Sequence, residues 1–188
     1  MEISEEQLKK ISAFAESKLD SLDWQHTLQV RKLALKIGSY EKADLGLAEV
    51  SAWLHNIGKS KGGDDYVARS EIMARKFLEA EQFNQNFIEE TVYNIAVHEF
   101  VWHGQEDLVK TLEARVLSDA VLLIAHSPSG FISFVLKHHR ELRENFAEVI
   151  KAEVLKLDKM SCYFFTKSAK KLAVKEIKKI KDFYQSLL

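Results

Sequence analysis

The segment from Leu112 to Leu123, LEARVLSDAVLL, decides how this chain is interpreted. Its apolar side chains recur at Leu112, Val116 and Leu123, which is the spacing of one face of an α-helix. Asp119 occupies the position on that face where the spacing demands a core residue. A buried carboxylate costs many kcal/mol unless it is neutralised, paired or bound to a metal ion. The segment therefore predicts a core helix that carries one acidic group in need of a partner.

Histidines occupy core-facing positions on three other predicted helices. His26 begins an apolar stripe in the second helix, His55 ends one in the third, and His98, or the residue after it, ends one in the fifth. Taken singly, a histidine on an apolar stripe is more often a hydrogen-bonded core residue than a ligand. Asp119 taken singly has Arg115, its i−4 neighbour, as an alternative partner. The joint spacing favours a cation shared by the imidazoles and the carboxylate.

The distribution of helix breakers and caps predicts an all-α fold. One proline and seven glycines leave long stretches without a breaker. Ser4 and Gln7 resemble a capping box at the start of the first helix, and Asp23 is expected to cap a second helix from Trp24 to about Tyr40. Further helices are predicted over residues 44–56, 66–80, 85–99, 107–125, 130–145, 146–157 and 161–186. We expect one compact helical bundle, a single domain over residues 1–188.

Composition and charge narrow the possible partners. The formal net charge is -1, so no overall field attracts nucleic acid or an anionic membrane. The longest apolar run, Ala120 to Ala125, is far below the roughly 18 residues of a membrane span, and the acidic N-terminus does not resemble a secretory signal. The single cysteine, Cys162, suits a reducing compartment. We therefore expect a cytoplasmic protein without a membrane or nucleic-acid partner, and the oligomeric state stays open.

The predicted helices carry, in order, His26, the run His55-Asn56-Ile57-Gly58-Lys59, His98, and the run Ser118-Asp119-Ala120. This order resembles the HD superfamily of metal-dependent phosphohydrolases. The pattern of that superfamily is a first histidine, a His-Asp pair often continued as Ile-Gly-Lys, and a distant aspartate. The motif core covers about residues 22–125, and C-terminal helices over residues 130–187 follow it. The resemblance implies the helical fold of that superfamily.

The resemblance also implies a site and a reaction. One divalent metal ion (Mn, Fe, Ni, Co, Zn or Mg) would lower the pKa of a bound water and polarise a phosphoryl oxygen. The substrate would be a nucleotide or another small phosphate ester. His98 and Lys59 would contact its phosphate. The metal ligands would be His26, His55, Asn56 and Asp119.

Three positions depart from the pattern of the superfamily. Asn56 replaces the aspartate of the His-Asp pair, so the ligand at that position carries no charge and cannot accept a proton from water. Tyr66 stands where many relatives carry a histidine, and Val121 stands where they carry a second aspartate. Two functions therefore stay open. One is a metal-dependent phosphohydrolase, with or without reduced activity, and the other is a catalytically eroded HD fold that binds a nucleotide or a protein partner.

Two further features have alternative interpretations. The C-terminal helix carries seven lysines between Lys167 and Lys181. No aromatic residues interleave with these lysines, as a binding surface for single-stranded nucleic acid would require, so a solvated helix face is favoured over a nucleic-acid site.

Trp102 and His103 follow His98 closely and are either core residues or part of the pocket wall.

Overall fold

The computed structural model describes residues 3–63, 65–137, 139–160 and 163–188. Within these ranges the secondary structure is helical and contains no strand, which confirms the predicted all-α class. Three short 3-10 turns lie at Lys59–Lys61, Phe100–His103 and Glu106–Leu108. The α-helices are α1 (Glu5–Glu16), α2 (Ser21–Glu41), α3 (Leu45–Leu54), α4 (Tyr66–Ala80), α5 (Gln85–Val97), α6 (Leu112–Ala125), α7 (Pro128–Lys137), α8 (His139–Met160) and α9 (Lys167–Ser186).

The first two helix starts test the predicted caps. The Ser4–Gln7 capping box is confirmed, because the Gln7 amide donates to Ser4 Oγ and the Ser4 amide donates to Gln7 Oε1. The prediction that Asp23 caps α2 is wrong. Asp20 is the cap, and its carboxylate accepts a hydrogen bond of 2.8 Å from the Asp23 amide. Both aspartates suit a cap by residue type, but only Asp20 has the extended backbone that a cap requires.

Several later boundaries also differ from the predicted ones. The α6 helix begins at Leu112 rather than at residue 107, because Thr111 caps it and the preceding residues form a 3-10 turn. The predicted boundary between residues 145 and 146 coincides with a kink at Asn145 inside α8. The C-terminal helix starts at Lys167 with Thr166 as its cap. Its predicted first residues, 161 and 162, lie outside the described part of the chain.

The core of the described residues has two large apolar clusters, which meet at α3, and a small third one of Val97, Val109 and Ala114. The larger cluster contains buried side chains of α2, α3, α6, α8 and α9, such as Val30, Leu117 and Ile150. The second cluster joins α1, α3, α4 and α5 through residues that include Leu54 and Ile88. The α5 helix also packs against α3 and α6, and α2 packs against both of them as well. Of the helices that carry the predicted histidines, α2 and α5 therefore both pack against the third, α3.

No single helix among the described residues has both the length and the apolar composition of a membrane span. In the part of the chain that the structure describes, one pair of helices, α6 with α7, reaches that length and composition together, and the two are bent by 69° relative to each other. Most of the apolar side chains of α6 are buried in the larger core cluster.

Candidate functional site

The structure brings three of the predicted site residues together. His26 lies in the second turn of α2, and His55 and His98 are the residues that end α3 and α5. The Nε2 atoms of His26 and His55 are 3.4 Å apart. The ring of His98 lies edge-on to that of His55, with 5.3 Å between the ring centroids. We call His26, His55 and His98 the histidine cluster.

Backbone contacts determine which ring nitrogen carries the proton in two of these histidines. His55 Nδ1 is 2.8 Å from the Ala52 carbonyl, and His98 Nδ1 is 2.6 Å from the Ile95 carbonyl. A carbonyl oxygen only accepts, so each Nδ1 carries the hydrogen and each Nε2 of the neutral ring carries a lone pair. His98 Nε2 is buried and has no hydrogen-bond partner among the described residues. This nitrogen is therefore available to a ligand.

Burial keeps the histidine cluster uncharged. Removal from water lowers the pKa of His26 to about 3, and the nearby Lys59 ammonium acts in the same direction. Burial also lowers the pKa of His55 and that of His98. Neutral imidazoles are the form that binds a metal ion or accepts a hydrogen bond. The cluster is thus a group of neutral acceptors at neutral pH.

The 3.4 Å separation between His26 and His55 is compatible with two arrangements. In one, His26 carries its hydrogen on Nε2 and donates it to His55. In the other, both lone pairs point at one shared cation. Two nitrogen ligands at about 2.0–2.1 Å from a tetrahedral ion are themselves about 3.3–3.4 Å apart. The two imidazoles are therefore spaced as one half of a tetrahedral site would be.

Asn56 is buried directly after His55, and its amide oxygen has no hydrogen-bond partner among the described residues. A buried carbonyl oxygen without a partner is costly, and such groups are rare in folded proteins. An amide oxygen also coordinates cations, but without the charge that a carboxylate supplies. Asn56 thus offers a neutral oxygen at the position where the superfamily has an acidic one.

Asp119 is partnered by the start of α9. Its two carboxylate oxygens accept hydrogen bonds from the Phe165 amide at 2.9 Å, the Thr166 amide at 2.8 Å and the Thr166 hydroxyl at 2.6 Å. Burial raises the pKa of Asp119 to about 6, while these hydrogen bonds act in the opposite direction. The alternative pairing with Arg115 is wrong, because the Arg115 Nε donates to the Val109 carbonyl instead. The Asp119 carboxylate is therefore hydrogen-bonded by Phe165 and Thr166 at the start of α9.

The donor set is a poor fit to a metal centre that relies on carboxylates. Among the described residues, no three or more His, Cys, Asp or Glu side chains are grouped so as to hold a metal ion. HD domains generally bind a divalent metal ion. In this chain position 56 is an amide, Asp119 is bonded to α9, and Val121 is a buried apolar residue. Among the predicted ligands His26, His55, Asn56 and Asp119, a direct side-chain contact is seen between His26 and His55.

A polar rim borders the histidine cluster. Lys59 Nζ lies 3.5 Å from an Asp23 carboxylate oxygen and 5.0 Å from the centroid of the Tyr66 ring. The Tyr66 hydroxyl donates to Glu99, and the same Glu99 oxygen is 4.0 Å from His98 Nε2. The sequence prediction included Lys59 but missed the roles of Tyr66 and Glu99. Their signal was weak, since Tyr66 appeared only as a departure from the superfamily and Glu99 only as a neighbour of His98.

Trp102 and His103 do not lie in the histidine cluster. Trp102 lines a separate cavity of about 510 Å³, and His103 is exposed. None of His26, His55 and His98 lines this cavity. Trp102 thus lines a different pocket from the predicted one beside His98.

Comparison with known proteins agrees with this fold. The model of the HD-domain family matches residues 23–121. A predicted HD superfamily hydrolase from an uncultured Thermotogales bacterium is 23% identical, with 96% of this chain and 90% of that chain covered and a TM-score of 0.68.

A Lactobacillus plantarum protein is 22% identical over 99% of this chain and 97% of its own, with a TM-score of 0.78. Bacillus subtilis YpgQ in complex with ADP is 19% identical over 97% of this chain and 93% of its own, with a TM-score of 0.68. A comparison with curated proteins finds no match. At these identities the solved structures support the fold, whereas the family model spans more than half of the chain, and so this protein belongs to the HD-domain family.

Proposed function

We propose that this chain is an HD-domain module that binds a nucleotide or another small phosphate ester, with metal-dependent hydrolysis reduced or lost. The observation that carries the proposal is the bonding of Asp119 by three donors at the start of α9. These donors occupy three of the roughly four lone-pair sites of the carboxylate, and Asn56 is uncharged, so the histidine cluster is poor in carboxylate ligands. A cluster of neutral imidazoles holds a divalent cation less strongly than a site with carboxylates.

A phosphate would bind through Lys59 at the rim of the histidine cluster, because the Nε2 lone pairs of His55 and His98 do not donate to phosphate oxygens. In a metal site the cation offsets the charge of its carboxylate ligands, so a phosphate approaches a neutral or positive centre. Here the cluster is neutral without an ion, and Lys59 stands at its rim with a partly exposed ammonium group. The contact of Lys59 with Asp23 is a long surface pair, which contributes only about 0–1 kcal/mol. A phosphate oxygen can therefore replace it at small cost.

The nucleotide class has support from one relative of similar fold. YpgQ was crystallised with ADP. Its identity to this chain is low, so the likeness suggests which compounds to test first and does not fix the ligand. The cytoplasmic location expected from the sequence suits a nucleotide or a phosphorylated metabolite as ligand.

A metal-dependent phosphohydrolase is the second candidate, and one observation favours it. The 3.4 Å between His26 and His55 equals the separation of two ligands on one tetrahedral ion. Zn²⁺, Ni²⁺, Fe²⁺, Co²⁺ or Mn²⁺ would suit these imidazoles better than Mg²⁺ does. Metal analysis of untagged protein purified without chelator separates the candidates, because a stoichiometric transition metal supports the second one.

Thermal unfolding with a panel of ligands tests the first candidate. ADP, ATP, deoxynucleoside triphosphates and inorganic phosphate are added with and without EDTA. A true ligand at 100 times its Kd stabilises the fold by about 2.7 kcal/mol. We expect this gain to survive EDTA and to disappear in Lys59→Ala. The control Lys36→Ala, an exposed lysine on α2, should keep it.

Turnover assays with Mn²⁺, Ni²⁺ and Co²⁺ provide the complementary test. We expect the wild-type chain to show no turnover of the nucleotides that it binds. The double variant Asn56→Asp/Val121→Asp restores two carboxylates and should bind metal more tightly, whereas Asn56→Asp/Val121→Asn is the control with one charge fewer. Metal-dependent turnover by the wild-type chain would overturn the first candidate in favour of the second.

A further inference from the structure

A second cavity is lined by residues other than those of the histidine cluster. It is the cavity of about 510 Å³, within the range of about 300–1,000 Å³ that is typical of ligand pockets. Its walls come from the 3-10 turn after α5, the helices α6 to α9 and the segment that joins the last two of them. We call it the aromatic cavity. Its lining includes Trp102, Leu122, His126, Glu153, Met160 and Tyr184.

A flat ring surface lies on one side of the aromatic cavity. Trp102 stacks on His126, with 5.7 Å between the ring centroids and 25° between the ring planes. His126 covers one face of the indole, yet Trp102 is still 46% exposed. A large aromatic side chain that lines a cavity and keeps part of its surface exposed can serve as a platform on which a planar ligand stacks.

The lining of the aromatic cavity has one nearly buried carboxylate, that of Glu153, besides the exposed Glu106 and the donor groups of Lys156, Tyr163 and Tyr184. Glu153 is only 8% exposed and pairs with Lys156, whose side chain reaches solvent. His126 Nδ1 is 3.0 Å from the Leu122 carbonyl and therefore carries the hydrogen, which leaves a lone pair on Nε2. Burial lowers the pKa of His126, although the charge of Glu153 opposes that shift. The cavity thus combines a nearly buried carboxylate and a neutral imidazole with apolar walls.

This combination selects a class of ligand. We infer that the aromatic cavity binds a planar heterocycle with two adjacent N–H donors, the hydrogen-bonding edge that guanine presents. A carboxylate accepts from two adjacent donors at once, and its charge strengthens both bonds. Adenine offers one donor beside an acceptor, and uracil offers one donor between two acceptors, so either base sets a lone pair against the carboxylate. The stacked indole supplies the flat surface for the ring.

The inference does not depend on the proposed function. It requires neither a phosphate nor Lys59, and none of the residues of the histidine cluster contributes to it. The probes are therefore nucleosides without phosphate, namely guanosine, adenosine and uridine. Guanosine binding that is unchanged in Lys59→Ala would support the inference even if no phosphate ester bound to the histidine cluster.

Titration calorimetry and tryptophan fluorescence provide the test. Trp24 and Trp53 stack on each other away from the cavity, so quenching by guanosine reports on Trp102. We expect saturable quenching by guanosine and binding of adenosine and uridine that is weaker by about tenfold or more. Glu153→Gln should weaken guanosine binding by a similar factor, whereas Glu148→Gln, an exposed residue on the same helix, should not.

Variants of Trp102 keep the inference testable if Glu153→Gln disturbs folding. Trp102 is half exposed, so Trp102→Ala should fold normally by circular dichroism and thermal unfolding. We expect it to lose guanosine binding in calorimetry, and Trp102→Phe to recover part of that binding because a flat ring remains. Absence of guanosine binding to the wild-type chain, or equal binding of all three nucleosides, would overturn the inference.

Discussion

The histidine cluster and the junction between Asp119 and α9 both place polar groups in the core, but they satisfy those groups differently. Asp119 has three donors for its carboxylate. In and beside the cluster, His98 Nε2 and Asn56 Oδ1 have no hydrogen-bond partner among the described residues. Buried polar groups are nearly always paired, and each unpaired one carries a cost that must be explained. From this difference we expect Asp119 to stabilise the fold and the cluster to be completed by a ligand.

The largest expected effect comes from removing the paired carboxylate. Asp119→Ala leaves two backbone amides and the Thr166 hydroxyl without their acceptor, so we expect the free energy of unfolding to fall by about 3–5 kcal/mol. Urea denaturation at pH 7 measures it, with Asp107→Ala, an exposed residue, as the control. A loss below about 1 kcal/mol together with loss of metal binding would show that Asp119 is a ligand instead.

Lowering the pH should reduce the free energy of unfolding, because the histidines are neutral in the folded chain and become protonated when it unfolds. The pKa of His26 in the folded chain is about 3, against 6.5 in a model peptide, so its contribution to stability is complete above pH 6.5 and is lost as the pH falls towards 3. Between pH 7 and pH 5 we expect His26 alone to account for a loss of about 2 kcal/mol. The measurement is the difference between wild type and His26→Gln in urea denaturation, with a chelator present.

Asp119 has the opposite effect on stability as the pH changes. It is present in both wild type and His26→Gln, so subtracting their free energies of unfolding cancels its contribution. In the folded chain the pKa of Asp119 is raised to about 6, so the folded chain holds its proton more tightly than the unfolded chain does. Asp119 therefore favours folding at low pH, and this effect is lost as the pH rises from about 4 to 6. Equal pH profiles for wild type and His26→Gln would mean that His26 is charged or exposed in the folded chain.

A smaller effect is expected at the other end of the Asp119 junction. The Thr166 hydroxyl donates to Asp119 and accepts from the Ala169 amide as the cap of α9. Thr166→Val removes both bonds and should cost about 1–2 kcal/mol in urea denaturation. Thr166→Ser keeps the hydroxyl and should retain most of the stability. If the two variants lost the same amount, the methyl group and not the hydroxyl would be responsible.

The smallest effect is expected at Asn56. Its amide oxygen gains no hydrogen bond on folding, so Asn56→Leu should change the free energy of unfolding by less than about 1 kcal/mol in either direction. Thermal unfolding without added ligand measures this change. The loss should be much smaller than the loss measured for Asp119→Ala. A large loss would show that Asn56 belongs with the groups that stabilise the fold.

Local patterns explain why much of the helical fold was predictable. The capping box at Ser4 and the start of α4 at Tyr66 depend on residues within one turn, and both are found where they were expected. The Asp20 and Asp23 caps differ only in local backbone conformation, which residue type alone does not determine. The start of α9 was misplaced because an apolar pattern does not show which residue caps a helix.

The candidate site was predictable only in part, because its contacts join distant segments. His26, His55 and His98 were placed on core-facing positions by the 3.6-residue period, and the structure brings them together. Glu99 and Tyr66, which contact each other across 33 positions of sequence, had no local signal of comparable strength. The aromatic cavity likewise draws on helices that are far apart in the chain.

By itself, the sequence determined that the chain is all-α, that it follows the HD order of motifs, and that one carboxylate on α6 is buried and needs a partner. These properties follow from helical periodicity and residue type, which act over a few residues. Only the tertiary structure showed that this carboxylate accepts hydrogen bonds from the start of α9, which is 46 and 47 positions away in the sequence. A buried charge must be compensated, but the packing of the helices decides which donor groups lie within hydrogen-bonding distance of it.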